Sequence, residues 1–158
     1  MTNEETIQQK LIERFPFLKD QVRIARARRL FVHVPADRFA EVFEAAVGEF
    51  GFVILCMVTG LDEGENLVAL YHLAQESGAI ATFKLCLPKD RPVLRTITAR
   101  FPAAAVMERE LVDLLGFQVQ GLPEGSRYPL PDDWPAGQYP LRKDWKLEML
   151  GQAEVPRA

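Results

Sequence analysis

Residues 28–58, RRLFVHVPADRFAEVFEAAVGEFGFVILCMV, change their hydrophobic period twice. Leu30, Val32 and Val34 alternate with Phe31 and His33, the period of two expected of a strand with one buried face. After Pro35 the period lengthens. Phe39, Val42, Phe43, Ala46, Val47 and Phe50 recur at i, i+3, i+4, i+7, i+8 and i+11, which lines one face of a helix. Asp37 is placed to start that helix and Gly51 to stop it. The short apolar run 52–58, FVILCMV, then returns to strand character.

The downstream chain repeats the strand signal. A turn at 60–66, GLDEGEN, leads into LVALYHLA, and a second turn at Ser77-Gly78 leads into AIATFKLCL. The segment PKDRP breaks that strand, and VLRTITA is expected to add an edge strand. Pro102 suits the first turn of a further helix carrying Val106, Leu111, Leu114 and Leu115, closed by Gly116. Upstream, residues 4–14 form a short helix that stops before Pro16. The order strand, helix, several strands, helix predicts an α+β domain over residues 1–120. Its mixed or antiparallel sheet has about four strands with helices on one face. No internal repeat is visible.

From Gly121 the composition shifts. Residues 121–158 hold six of the chain's eleven prolines and both tryptophans. Proline removes backbone donors and fixes φ, so neither a long helix nor a central strand is expected here. The aromatic content is too high for a solvated linker. The segment therefore reads as an extended C-terminal tail lying against this domain or another chain.

Bulk properties exclude several functions. The chain has 158 residues, is 48% hydrophobic and 26% charged, and carries a formal charge of −3. Such a balance gives no electrostatic case for nucleic-acid or membrane-surface binding. No apolar run approaches the roughly 20 residues that span a bilayer. The start, MTNEETIQQK, is polar and acidic, unlike a signal or transit peptide, so a soluble intracellular protein is expected. The basic run 23–29, RIARARR, lacks interleaved aromatic residues and reads as a solvated or partner-facing segment.

Candidate chemistry is sparse. Cys56 and Cys86 sit singly in apolar runs and are expected to be buried thiols rather than ligands or a disulfide. His33 and His72 each fall in a strand pattern without a metal-binding spacing or a signalled nucleophile. Ten glycines form no phosphate-binding loop. The string MERELVDLLG groups Glu108, Arg109, Glu110 and Asp113, but Arg109 and Asp113 are spaced i, i+4 as for a surface ion pair. Asp132 and Asp133 read as turn residues in a proline loop.

The strings ERELVDLLGF (108–117), GLP (121–123) and LPDDWPAGQYPLRKDW (130–145) together resemble the thirty-kilodalton subunit of respiratory complex I. They also resemble its relatives in energy-converting nickel–iron hydrogenases and formate hydrogenlyase-type complexes. The family pattern falls on Glu108, Arg109, Glu110, Asp113, Gly116, Arg127, Pro140, Leu141, Arg142, Lys143 and Asp144, and the resemblance covers roughly residues 28 to 146. Leu122 replaces the His of the respiratory GHP step, and Val106-Met107 stand where a Trp is common. Both differences, with the DDWP–PLRKDW form, lean towards the hydrogenase-type relatives.

The resemblance implies a cofactor-free assembly subunit, peripheral on the cytoplasmic face of the cell membrane. Its partners would be a large catalytic subunit with a nickel–iron or quinone site and a small subunit with iron–sulfur clusters. Residues 121–158 would dock over the partner, with Asp132, Asp133, Trp134 and Trp145 beside the motif residues at the interface. Arg127, Arg142 and Lys143 would meet partner carboxylates. Two alternatives remain: a stand-alone enzyme using Glu108, Glu110, Asp113 and Asp132 with a metal, or a peptide-binding module that uses an exposed sheet edge.

Overall fold

The computed structural model describes residues 2–152, with side chains through residue 150. It is an α+β structure. Helix α1 (Asn3–Arg14) is followed by strands β1 (Val22–Arg26) and β2 (Arg29–His33), then helix α2 (Phe39–Gly48). Three long strands come next: β3 (Ile54–Asp62), β4 (Asn66–Ala74) and β5 (Ile80–Pro88). Strand β6 (Val93–Arg95), helix α3 (Ala104–Leu115) and strand β7 (Gln118–Gln120) complete the regular elements, apart from 3₁₀ turns such as Leu147–Gln152.

The main sheet has five strands in the order β1-β2-β5-β4-β3. It is mixed: β1 and β2 are antiparallel, whereas β2 and β5 are parallel, with Phe31 opposite Thr82. A parallel pair requires a long crossover, which α2, β3 and β4 supply. Strands β6 and β7 form a separate parallel pair.

The chain divides into two compact units. One runs to Val58 and adds Ala69–Cys86; the other takes Thr59–Val68 and the chain from Leu87 onward. In the first, Leu30, Val32, Tyr71, Leu73, Ala81, Phe83 and Leu85 are buried, as the period of two predicts. Helix α2 rests Phe39 on Tyr71, with ring centroids 4.7 Å apart, and Phe52 meets Phe83 edge-on at 6.1 Å. Helix α1 begins with a capping box between Thr2 and Glu5, and its buried Glu4 accepts the backbone N–H of Arg28 in the β1–β2 turn. Arg28 holds a left-handed φ of 59° there.

Several expectations need correction. The basic run spans the end of strand β1, its turn and the first residue of β2, with Arg23 exposed between the core-side Val22 and Ile24. This gives a fifth strand. The 93–99 segment joins β7 rather than the edge of the main sheet. Strand β3 runs through Gly60 to Asp62, so the turn shortens to residues 63–65. Gly60 fits within it because any side chain there would collide with Leu111 and Leu115. Cys56 is exposed and Cys86 half-buried, since each takes the face opposite the core alternation. Asp37 lies in a 3₁₀ turn before α2 instead of capping it, and Pro102 precedes α3 by two residues.

Candidate partner interface

The motif residues on α3 turn out to be anchors for the chain beyond the helix. Glu108 is fully buried. Its carboxylate accepts the Thr96 hydroxyl at 2.5 Å and the Ile97 N–H at 2.9 Å, fixing the segment after β6. Burial pushes this carboxyl up, and the two hydrogen bonds only partly counter that. Arg109 donates to the carbonyls of Pro123 (3.0 Å) and Glu124 (3.2 Å), and lies so close to Gly125 that a side chain there would collide with it. Glu110 is exposed.

Asp113 and Arg127 form the next tie. Arg127 donates from Nε to Asp113 Oδ1 at 2.7 Å and from Nη1 to the Trp134 carbonyl at 2.8 Å, while Asp113 Oδ2 accepts the Leu130 N–H at 3.0 Å. The expected Arg109–Asp113 helix pair is therefore not made. Both side chains reach sequence-distant tail groups instead, because Asp113 is buried against the tail. The peptide between Tyr128 and Pro129 is cis.

The helix end carries the third tie. Gly116 adopts φ 76°, left-handed, and a side chain there would strike Tyr139 and Arg142. Arg142 stacks on the Tyr139 ring at 4.6 Å and donates from Nε to the Leu115 carbonyl at 2.7 Å. The Leu141 N–H donates to the Leu114 carbonyl at 3.0 Å. The last carbonyls of α3, which have no partner within the helix, are thus satisfied by the tail.

The fourth tie was not anticipated. Asp62, at the end of β3, is buried and accepts Lys89 Nζ at 2.7 Å, the Lys143 N–H at 2.9 Å and the Gly64 N–H at 2.7 Å. Lys89 also donates to Asp144 at 2.9 Å. Burial alone would raise the Asp62 carboxyl, but the Lys89 ammonium and the two backbone donors outweigh it and hold it at about 2. The Lys89 amine is raised by the same two carboxylates. Between the third and second ties, Gln138 accepts both indole N–H groups, from Trp134 through its carbonyl and from Trp145 through its side chain, each at 2.8 Å. The two indole rings lie 6.1 Å apart.

The structure therefore brings together Arg109, Asp113, Gly116, Arg127, Trp134, Arg142, Lys143, Asp144 and Trp145, all in the second unit. Glu108 anchors a different segment, Pro140 is half-buried, and Glu110, Asp132 and Asp133 face solvent. Asp62, Lys89, Thr96 and Gln138 were missed. Only the placing of Asp62 before a turn and Lys89 inside PKDRP could have marked two of them as polar strand ends. Arg127 finds its carboxylate within its own chain. In contrast, four large apolar side chains of the tail point outward, while Trp134, Tyr139 and Trp145 are half-buried: Tyr128, Leu141, Leu147 and Met149 are exposed, Leu141 by 56%.

The carboxylates proposed for a stand-alone enzyme do not converge. Glu108 and Asp113 serve separate anchors, and among the described residues no group of three or more His, Cys, Asp and Glu is placed to hold a metal. No helix among the described residues is long and apolar enough to cross a membrane.

The chain is 33% identical over 144 residues to a subunit of the F420H2 dehydrogenase of Methanosarcina mazei, covering 89% of this chain and 90% of that one. It is 29% identical to the membrane-bound hydrogenase subunit beta of Pyrococcus furiosus, covering 99% and 95%. A chain in the structure of the membrane-bound sulfane sulfur reductase, an archaeal respiratory membrane complex, superposes with a TM-score of 0.79 at 26% identity, covering 96% and 90%. Residues 32–149 match the family described as respiratory-chain NADH dehydrogenase, 30 kDa subunit, and the chain belongs to that family.

Proposed function

We propose that this chain is a non-catalytic assembly subunit of a membrane-associated multisubunit oxidoreductase, of the complex I or energy-converting hydrogenase type. In this reading it packs against the large catalytic subunit, which carries the nickel–iron or quinone site, close to the iron–sulfur subunit, on the cytoplasmic face of the membrane. The chain itself supplies shape and contacts, and its partners hold the redox groups.

One observation carries the reading. The tail is fixed by its polar and backbone groups, while Tyr128, Leu141, Leu147 and Met149 are left outside. A segment folded for its own stability would bury Leu141, Leu147 and Tyr128; a docking strap presents them. The four ties order the tail before it meets a partner, which reduces the entropy lost on assembly. Arg142 and Arg127 act by shaping the strap, and the exposed apolar side chains beside and beyond them make the contact.

The test is affinity isolation of the tagged chain from cells that express the complete complex. The wild-type chain is expected to bring down a large catalytic subunit and a cluster-bearing subunit. Leu141→Asp combined with Leu147→Asp is expected to reduce that recovery tenfold or more, with the melting temperature of the isolated chain unchanged. Recovery of the wild-type chain only as a monomer would sink the proposal.

A further inference from the structure

The first unit has a second surface that none of its own described elements covers. On the face of the main sheet opposite α2 runs a shallow groove of about 430 Å³, whose lining residues come from all five strands. Arg26, Arg29 and Phe31 line it from the β1–β2 side, Thr82 and His72 from the middle and Met57 from β3. Strands spaced about 4.8 Å apart make such a path about 19 Å long, the length of roughly 13 helical residues.

Its floor is ordered and its rim is charged. His72 Nδ1 and the Thr82 hydroxyl are hydrogen-bonded at 2.9 Å, and Arg23 lies over the Phe31 ring at 5.2 Å. Burial and the nearby Arg29 charge hold His72 in its neutral form more strongly than usual. Among the described residues, neither Arg26 nor Arg29 makes an ion pair with a carboxylate, although elsewhere Arg14, Arg38 and Arg127 do. The segment 23–29 carries four arginines and no acid in a chain whose net charge is −3. At the groove's other end Met57 is exposed on β3, the edge strand of the sheet, where Ile54 is exposed too. An exposed apolar edge beside an open sheet face is a surface that proteins normally cover.

We infer that this face docks an amphipathic, acidic segment of a neighbouring subunit, whose carboxylates pair with Arg26 and Arg29 while its apolar side chains cover Phe31 and Met57. The inference rests on the assembly reading and adds to it a second contact, distinct in residues and chemistry from the tail. The unpaired guanidiniums select for acids in the occupant, and the apolar floor excludes a merely polyanionic ligand.

The experiment uses the full chain in cells that express the complete complex. Four tagged forms are compared: wild type, Arg26→Glu/Arg29→Glu, Met57→Asp and Arg26→Lys/Arg29→Lys. The charge-reversed and Met57→Asp forms are expected to recover at least tenfold less of the other subunits, with the melting temperature of the isolated chain unchanged. The lysine form is expected to recover them nearly as wild type does. Zero-length carbodiimide coupling of the lysine form should then join Lys side chains at 26 or 29 to Asp or Glu of a neighbouring subunit. Should the charge-reversed form fold poorly, Met57→Asp decides. Wild-type recovery by the charge-reversed and Met57→Asp forms overturns the inference and leaves the assembly reading standing. So does coupling only to a second copy of this chain, or retention of nucleic acid in place of a subunit. Wild-type chain recovered alone overturns both.

Discussion

Residues 22–87 and residues 121–146 are held in place by different physics. The first region is built from strands and a helix whose apolar side chains meet each other, as Phe52 meets Phe83 and Phe39 meets Tyr71. Many neighbours share each contribution, and the sheet hydrogen bonds come with the strand geometry. The second region has no helix or strand. It is held at a few points: Asp113 with Arg127, Leu115 with Arg142, and Asp62 with Lys89 and Lys143. The contrast shows how a proline-rich segment can be ordered without a core of its own. At these points the fold supplies buried acids and a helix-end carbonyl and the tail supplies donors, while Arg109 reverses the roles by donating to the carbonyls of Pro123 and Glu124.

The contrast breaks most visibly in the core. Phe83→Ala should destabilise the chain by about 3–5 kcal/mol, the range for removing a fully buried aromatic ring. Urea denaturation would show this as a lower midpoint at an unchanged slope. A loss below about 1 kcal/mol would mean that the Phe52–Phe83 contact is not central.

A tie should break locally instead. Asp62→Ala leaves Lys89 and the Lys143 N–H without their buried acceptor, at a cost of about 1–3 kcal/mol that falls on tail attachment. Tryptic cleavage at Arg142, Lys143 and Lys146 should quicken on the order of tenfold, while the main unfolding transition moves little. An equal shift of both would make the tail part of the core.

Acid should imitate that substitution. The folded Asp62 carboxyl titrates at about 2, below its ordinary value of 3.8. Its contribution is therefore present above about pH 4 and is lost as pH falls from there towards 2. Tail cleavage, read with an acid-stable protease between pH 5 and 2.5, should rise in the wild type and stay flat in Asp62→Ala. Glu108 has the opposite sign, since its raised carboxyl contributes below its ordinary range and loses that contribution as pH rises through its folded value. Glu108→Gln keeps an acceptor for the Ile97 N–H and should change stability by less than about 1 kcal/mol, with the smallest effect of the series. Its signature is a flatter stability profile on the alkaline side of the carboxylate range.

These two regions also differ in how far the sequence discloses them. The period change at Pro35 and the alternation at 30–34 place β2 and α2, because periodicity records burial directly. It failed at β1, where arginine stems satisfy a strand's outer face but leave an apolar pattern too weak to see. It also failed at Cys56, which sits in an apolar run yet faces the uncovered side of the sheet. For the tail, composition indicated order without regular structure, whereas Arg127 and Arg142, read as partner-facing, bond to groups of their own chain. Pairing partners such as Asp62, 81 residues before Lys143, leave no local signal. The helix spacing of Arg109 and Asp113 suggested a pair that the fold spends elsewhere.

In this picture polar anchors hold the tail to its own chain while its exposed apolar side chains hold the chain to its partners. Amide hydrogen exchange, measured on the isolated chain and on the assembled complex, tests both halves at once. The N–H groups of Leu130, Leu141 and Lys143 should be protected already in the isolated chain, and the stretch around Leu147 and Met149 should gain protection only on assembly. Rapid exchange at the first three in the isolated chain, or no added protection at the second in the complex, would contradict the account.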